Sequence, residues 1–184
     1  MKKEGVLPVY NSVDLYFDHG DGVYLYTEDG TRYLDFTSGI GVTCLGHSHP
    51  ALVSALREQA GKLWHCSNLF KIKGQEIVAK KIVDHSFASH VFFCNSGAEA
   101  VEAGIKAIRK YFYLNKKNKY KIICVNNAFH GRTLGTIAAA GQDKLLEGFE
   151  PRLDGFEHVE FNNLEAIEKK IDKQTAAILI ETVQ

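Results

Sequence analysis

Apolar and polar positions in this chain follow two periods, and the change from one to the other divides it. From Gly22 to Phe36 the pattern is short and alternating. Gly22-Val23-Tyr24-Leu25-Tyr26-Thr27 reads as a strand, Glu28-Asp29-Gly30-Thr31 as a turn, and Arg32-Tyr33-Leu34-Asp35-Phe36 as the returning strand. Asp-Gly between two such runs is a strong hairpin signal. From Pro50 the period becomes helical. Leu52, Leu56, Ala60 and Leu63 share one face, and proline suits the first position of a helix. A second helix is predicted over 74–84, with Ile77, Val78 and Ile82 turned inward. A third starts after Ser96. Its inward stripe is Val101, Ile105, Ile108 and Phe112, with Glu102 placed to pair with Lys106 on the other side. Gly104 in its middle lowers stability relative to alanine, which predicts close packing at that point.

Between these helices lie brief, continuously apolar runs of the kind found in strands covered on both faces. They are His90-Val91-Phe92-Phe93-Cys94, Ile122-Ile123-Cys124-Val125 and Ala176-Ala177-Ile178-Leu179-Ile180. His158-Val159-Glu160-Phe161 is a further candidate strand. Asn162 or Asn163 would then cap a helix whose face is Leu164, Ile167 and Ile171. The stretches 8–18 and 142–155 show no period. From about residue 90 strands alternate with helices, which predicts an α/β fold with a mostly parallel sheet and flanking helices. Ligands of such sheets gather at the C-terminal ends of the strands. Here those ends are Asn95–Ala98, Asn126–Arg132 and Glu181–Gln184, three polar clusters expected to meet in one crevice.

Composition narrows the classes. The 184 residues suffice for one domain or one and a half, and the 45% apolar content is that of a chain able to bury a core. Basic and acidic residues number 22 each, so no net field points to nucleic acid or to a membrane surface. Met1-Lys2-Lys3-Glu4-Gly5 leads into no apolar signal-peptide region, and no run is long and apolar enough to span a bilayer. The four cysteines, at 44, 66, 94 and 124, form no CxxC pair and read as reduced thiols of a cytoplasmic protein. His47, His49, His65 and Cys66 could be assembled into a metal site, but no carboxylate completes the shell, and they read as polar loop residues; no metal is expected. The glycines of Thr37–Pro50 signal either a ligand approaching the backbone or a tight packing corner.

The candidate chemistry centres on Ser96-Gly97-Ala98-Glu99, which has the form of a capping box: Ser96 caps the Glu99 N–H and the Glu99 side chain reaches back. One reading is an ordinary capped helix. The other is an anion site, since the first N–H groups of a helix point at open space with a positive dipole end behind them. If the strand ends converge, Phe129 and Arg132 stand beside it, and a phosphate-bearing cofactor becomes the better reading.

Phe92-Phe93-Cys94-Asn95-Ser96-Gly97-Ala98-Glu99-Ala100, followed by Asn127-Ala128-Phe129-His130-Gly131-Arg132-Thr133, resembles the class III pyridoxal-phosphate aminotransferases, in particular the acetylornithine aminotransferase branch. Asp35-Phe36-Thr37-Ser38-Gly39-Ile40, Leu45-Gly46-His47-Ser48-His49-Pro50 and Trp64-His65 extend the resemblance over nearly the whole chain. It implies the large domain of the type I aminotransferase fold. Residues 1–50 would be an N-terminal segment belonging to the small domain, and 51–184 an incomplete cofactor-binding domain. Ser96, Gly97 and Ala98 would bind the phosphate of pyridoxal 5'-phosphate, and Phe129 would stack on its ring. Arg132 would hold the substrate α-carboxylate, and Glu181 would lie near the substrate. The implied reaction moves the terminal amino group of N-acetylornithine to 2-oxoglutarate, in arginine biosynthesis, in a homodimer whose partners are small amino and 2-oxo acids. Ornithine and 4-aminobutyrate aminotransferases are the rival readings. No lysine here stands in the family's Schiff-base motif, which is expected beyond Gln184. The 184 residues alone are therefore expected to be inactive, and a sheet ending near Ile180 to present an apolar edge.

Overall fold

The computed structural model describes residues 5–184; Met1–Glu4, on which the signal-peptide reading rests, lie outside the described residues. The chain forms two compact units, one running to Lys71 and the other covering Ile72–Gln184.

In the first unit three short strands, β1 (His19–Asp21), β2 (Tyr24–Tyr26) and β3 (Arg32–Leu34), form an antiparallel meander in that order. The Asp-Gly turn lies where the pattern predicts it, with Tyr24 opposite Leu34 and Tyr26 opposite Arg32. The glycine-rich stretch folds back on this meander. Gly22 and His47 exchange two backbone hydrogen bonds. A Cβ built on Gly46 would lie 2.6 Å from the Gly22 carbonyl oxygen, so this glycine serves a packing corner. Asp35 ties the corner down. Its carboxylate accepts from the Thr37 N–H, the Thr37 hydroxyl and the Ser38 N–H, and His47 Nε2 stands 2.8 Å away. These bonds, the Thr37 hydroxyl first, hold the Asp35 pKa down to about 2. The turn α1 (Ser38–Gly41) is left-handed at Gly39 and Ile40, and α2 (Pro50–Ala60) begins on its proline as expected.

The second unit runs α3 (Lys73–Asp84), α4 (Gly97–Leu114), β4 (Lys121–Val125), α5 (Leu134–Ala140), α6 (Asp143–Leu146), β5 (Phe156–Val159), α7 (Leu164–Lys170) and β6 (Thr175–Leu179). The three strands form a parallel sheet in the order β5-β4-β6. β4 is central, which explains its unbroken apolar run. Ile122 and Cys124 face one side and pack with Ile105 of α4 and Ala139 of α5; Ile123 and Val125 face the other and pack with Val159 and Ile167. The α4 stripe lies as predicted: Ile105 is buried, with Val101 and Ile108 beside it. Asn163 caps α7 by accepting the Ala166 N–H.

Several expectations are corrected. The run His90–Cys94 forms no strand; among the described residues nothing pairs with its backbone, because no strand lies alongside. The inward stripe predicted for α3 faces water, with Ile77, Val78 and Ile82 exposed. Gly104 is not closely packed: a Cβ there meets nothing, and it opens on a groove of about 590 Å³ with Phe92, Cys94, Ala100 and Ala107. Glu102 does not pair with Lys106 but turns to Thr133. The pattern also gave no sign of α5, whose run of Gly, Thr, Ile and Ala is buried almost entirely.

Candidate active site

The start of α4 is built as a cap with one departure. Ser96 is the N-cap, and its hydroxyl accepts the Glu99 N–H at 3.2 Å. The Glu99 carboxylate reaches past Ser96 to the residue before it. It accepts the Asn95 N–H at 2.6 Å and the Asn95 side-chain amide at 3.0 Å. Glu99 thus fastens the entering chain and leaves the N–H groups of Ser96, Gly97 and Ala98 with no acceptor among the described residues. A Cβ built on Gly97 meets nothing within 4 Å, so the turn is not packed over at that residue. With an 18-residue helix behind it, this turn offers three free donors to an anion.

The loop after β4 comes against this turn. Gly131 has φ +122°, and a Cβ there would lie 2.7 Å from the Ala98 Cβ, so only glycine lets the loop approach the helix so closely. On either side of that contact stand Phe129, 60% exposed, and Arg132, its guanidinium carbon 5.8 Å from the Phe129 ring centroid. Arg132 pairs with no carboxylate among the described residues. The third strand end joins them: Glu181 accepts the Phe129 N–H at 3.2 Å, and the Gln184 side-chain amide donates to the Asn126 carbonyl at 2.6 Å. The ends of β4 and β6 therefore meet, as the parallel sheet requires, and the turn before α4, which follows no strand, reaches them through the Gly131–Ala98 contact. The six residues singled out in the sequence all belong to the second unit, and the Gly131–Ala98 contact and the Glu181–Phe129 hydrogen bond link the segments that carry them.

Two residues of this neighbourhood were not read as part of the site in the sequence: His130 had no role of its own, and Glu102 was expected to pair with Lys106. His130 points away from solvent, its Nε2 without a partner; burial lowers its pKa, against a smaller opposing pull from Glu181. It is a packing element of the loop. Glu102, on α4, accepts the hydroxyl of Thr133, the N-cap of α5. Thr133-x-x-Thr136 was the available signal, since a Thr three residues after a Thr forms a reciprocal cap, which the structure contains.

The sequence matches the family described as aminotransferase class-III over residues 8–184. The chain belongs to this family. It is 52% identical to the acetylornithine aminotransferase of Mesorhizobium japonicum, over all of this chain and 46% of that protein. It is 49% identical to the acetylornithine aminotransferase of Aquifex aeolicus, over 95% of this chain and 47% of that protein. The chain thus spans somewhat under half the length of the curated relatives it matches. Among solved structures, it is similar to the ornithine aminotransferase of Toxoplasma gondii ME49, with a TM-score of 0.91 at 27% identity over 99% of this chain and 44% of that one. The N-acetylornithine aminotransferase of Stenotrophomonas maltophilia K279a gives a TM-score of 0.77 at 34% identity, over 95% and 43%. The α/β class-III fold expected from the sequence is the one observed.

Proposed function

We propose that this chain forms the cofactor-phosphate half of a cytoplasmic, homodimeric aminotransferase that moves the terminal amino group of N-acetylornithine to 2-oxoglutarate, a step of arginine biosynthesis. The observation that carries the reading is the contact of Gly131 with Ala98, which brings free helix-start donors, an exposed aromatic ring and an unpaired guanidinium onto one surface. Relatives about 50% identical, named acetylornithine aminotransferases, support the choice of amino donor.

The residues fit pyridoxal 5'-phosphate by their chemistry. The N–H groups of Ser96, Gly97 and Ala98 suit a phosphate, and since they have no acceptor among the described residues, no protein bond breaks when it arrives. The Phe129 ring offers a flat apolar face to a pyridine ring. When bound, the cofactor supplies an electron sink for the amino-acid carbon being deprotonated. Arg132 presents a planar fork that matches a carboxylate bidentately and so orients the amino acid. Glu181, bonded to the Phe129 backbone, steadies the loop that carries both groups. None of these lysines stands in the motif of the covalent-anchor lysine, so the 184 residues on their own bind and orient without completing transamination.

Titration of the protein with pyridoxal 5'-phosphate and with unphosphorylated pyridoxal tests the cradle. Binding of the first and at least a hundredfold weaker binding of the second is expected; equal binding would remove Ser96–Ala98 from the site. Arg132→Ala is expected to weaken amino-acid carboxylate binding at least tenfold and cofactor binding less than twofold, and equal losses would count against its role. Reading the coding DNA past the Gln184 codon for an in-frame lysine motif decides whether a complete enzyme exists. Activity of that enzyme on ornithine but not on N-acetylornithine would overturn the substrate.

A further inference from the structure

Glu102 takes no part in the reading above, yet its surroundings are specific. It sits one helical turn past Ala98 on α4 and is half-buried. Its carboxylate accepts the hydroxyl of Thr133. Thr133 caps α5: its hydroxyl accepts the Thr136 N–H at 3.2 Å, and the Thr136 hydroxyl accepts the Thr133 N–H at 2.9 Å. A Cβ built on Gly135 would come 2.5 Å from Glu102 Oε1, so the carboxylate fills space that only glycine leaves at this turn. On the other side of Arg132, Gly131 lies against Ala98 of the same helix. The segment that carries Arg132 is therefore pinned to α4 twice, by an apolar contact before it and a charged acceptor after it.

We propose that Glu102 is a positioning residue that fixes the Phe129–Arg132 pair relative to the Ser96–Ala98 cradle. The proposal rests on the cofactor reading of that cradle. Its physical content is that α4 serves as a common ruler. The cradle is the first turn of the helix, and the Thr133 anchor is the turn after it, so the spacing of the two halves is set by a rigid element and not by the loop. A ligand that touches both halves feels the loss of the tether; one that touches only the cradle does not. Displacements on the order of 1 Å cost up to about a hundredfold when two groups must be engaged together.

The test compares Glu102→Ala, Glu102→Gln and the parent protein, with affinity measured for pyridoxal 5'-phosphate and for inorganic phosphate, and backbone hydrogen exchange over 129–136. Glu102→Ala is expected to weaken pyridoxal 5'-phosphate about tenfold or more, to leave inorganic phosphate within twofold, and to speed exchange over 129–136. Glu102→Gln retains an acceptor oxygen for the Thr133 hydroxyl and is expected to restore all three. Equal losses for both ligands, or failure of Glu102→Gln to restore binding, would overturn the proposal. If the parent binds neither ligand, the cofactor reading fails, and the exchange data alone decide the tether: unchanged exchange in Glu102→Ala sinks it. If Glu102→Ala does not fold, Gly135→Ala, whose Cβ would displace the carboxylate, takes its place with the same expected outcomes.

Discussion

Helices α3 and α4 belong to the same unit and carry apolar stripes of similar quality, yet only one stripe is buried. On α4, Ile105 is 5% exposed and meets Ile122 and Cys124 of the central strand. On α3, Ile77, Val78 and Ile82 are 51%, 46% and 43% exposed. Periodicity reports how a helix would present an apolar face; whether a surface exists to receive that face is a property of the strands. Where β4 supplies one, the stripe becomes core. Where none of the described elements does, the same pattern stays in water. The run Val91–Cys94 repeats the lesson in strand form, apolar enough for a sheet and lacking a neighbour.

The sharpest way to break this contrast is by truncation. Ile105→Ala is expected to destabilise the protein by about 2–5 kcal/mol, through lost burial and the cavity left between α4 and β4. Ile82→Ala on α3 should change stability by less than about 0.5 kcal/mol, because its side chain already touches water. Urea unfolding of both variants checks the pair, and comparable losses would mean that α3 is covered in solution.

Thiol reactivity gives a second measure. Cys124 lies at the centre of the sheet, where desolvation raises its pKa to about 12. Cys94 and Cys44 are exposed. In a brief alkylation at pH 8, Cys44 and Cys94 are expected to react fully and Cys124 only after denaturation. Mass spectrometry of the peptides reads the outcome, and labelling of native Cys124 would contradict the buried face of β4.

A smaller effect should appear in acid. Asp172 accepts from Lys121 at the start of β4, and Glu157 of β5 accepts from Lys170 at the end of α7; both carboxyls have lowered pKa values, chiefly through those bonds. A lowered folded pKa stabilises above the ordinary carboxylate range, and that contribution disappears as pH falls through the folded value. The sheet ends should therefore loosen below about pH 4. Lys121→Met should remove the Asp172 part of this pH dependence, read as melting temperature against pH. An unchanged profile would show that the pair is solvent-screened.

These contrasts also mark what was legible beforehand. The hairpin, α2, α4 and β4 follow from local signals: Asp-Gly, Pro50, a stripe every three to four residues, and four apolar residues in a row. The meeting of Phe129 and Glu181 followed too, since a parallel sheet brings the ends of β4 and β6 together; Asn95 follows no strand, and the start of α4 reaches them through the Gly131–Ala98 contact. Helix α5 was illegible because every residue after Leu134 is buried, which leaves no period to show. The partner of Glu102 was illegible because an i,i+4 lysine is a local expectation, whereas Thr133 lies 31 residues away and reaches it only through the fold.

The central place of β4 has a consequence for synthesis. The first strand of the sheet to leave the ribosome is the one that needs neighbours on both sides, and its second neighbour, β6, begins 50 residues after Val125. At about 5–20 residues per second, that leaves an apolar ribbon waiting roughly 3–10 s for its last partner. During that interval Ile122, Ile123 and Val125 form a sticky surface on the nascent chain, and α4, already emerged, can shelter only one side of it.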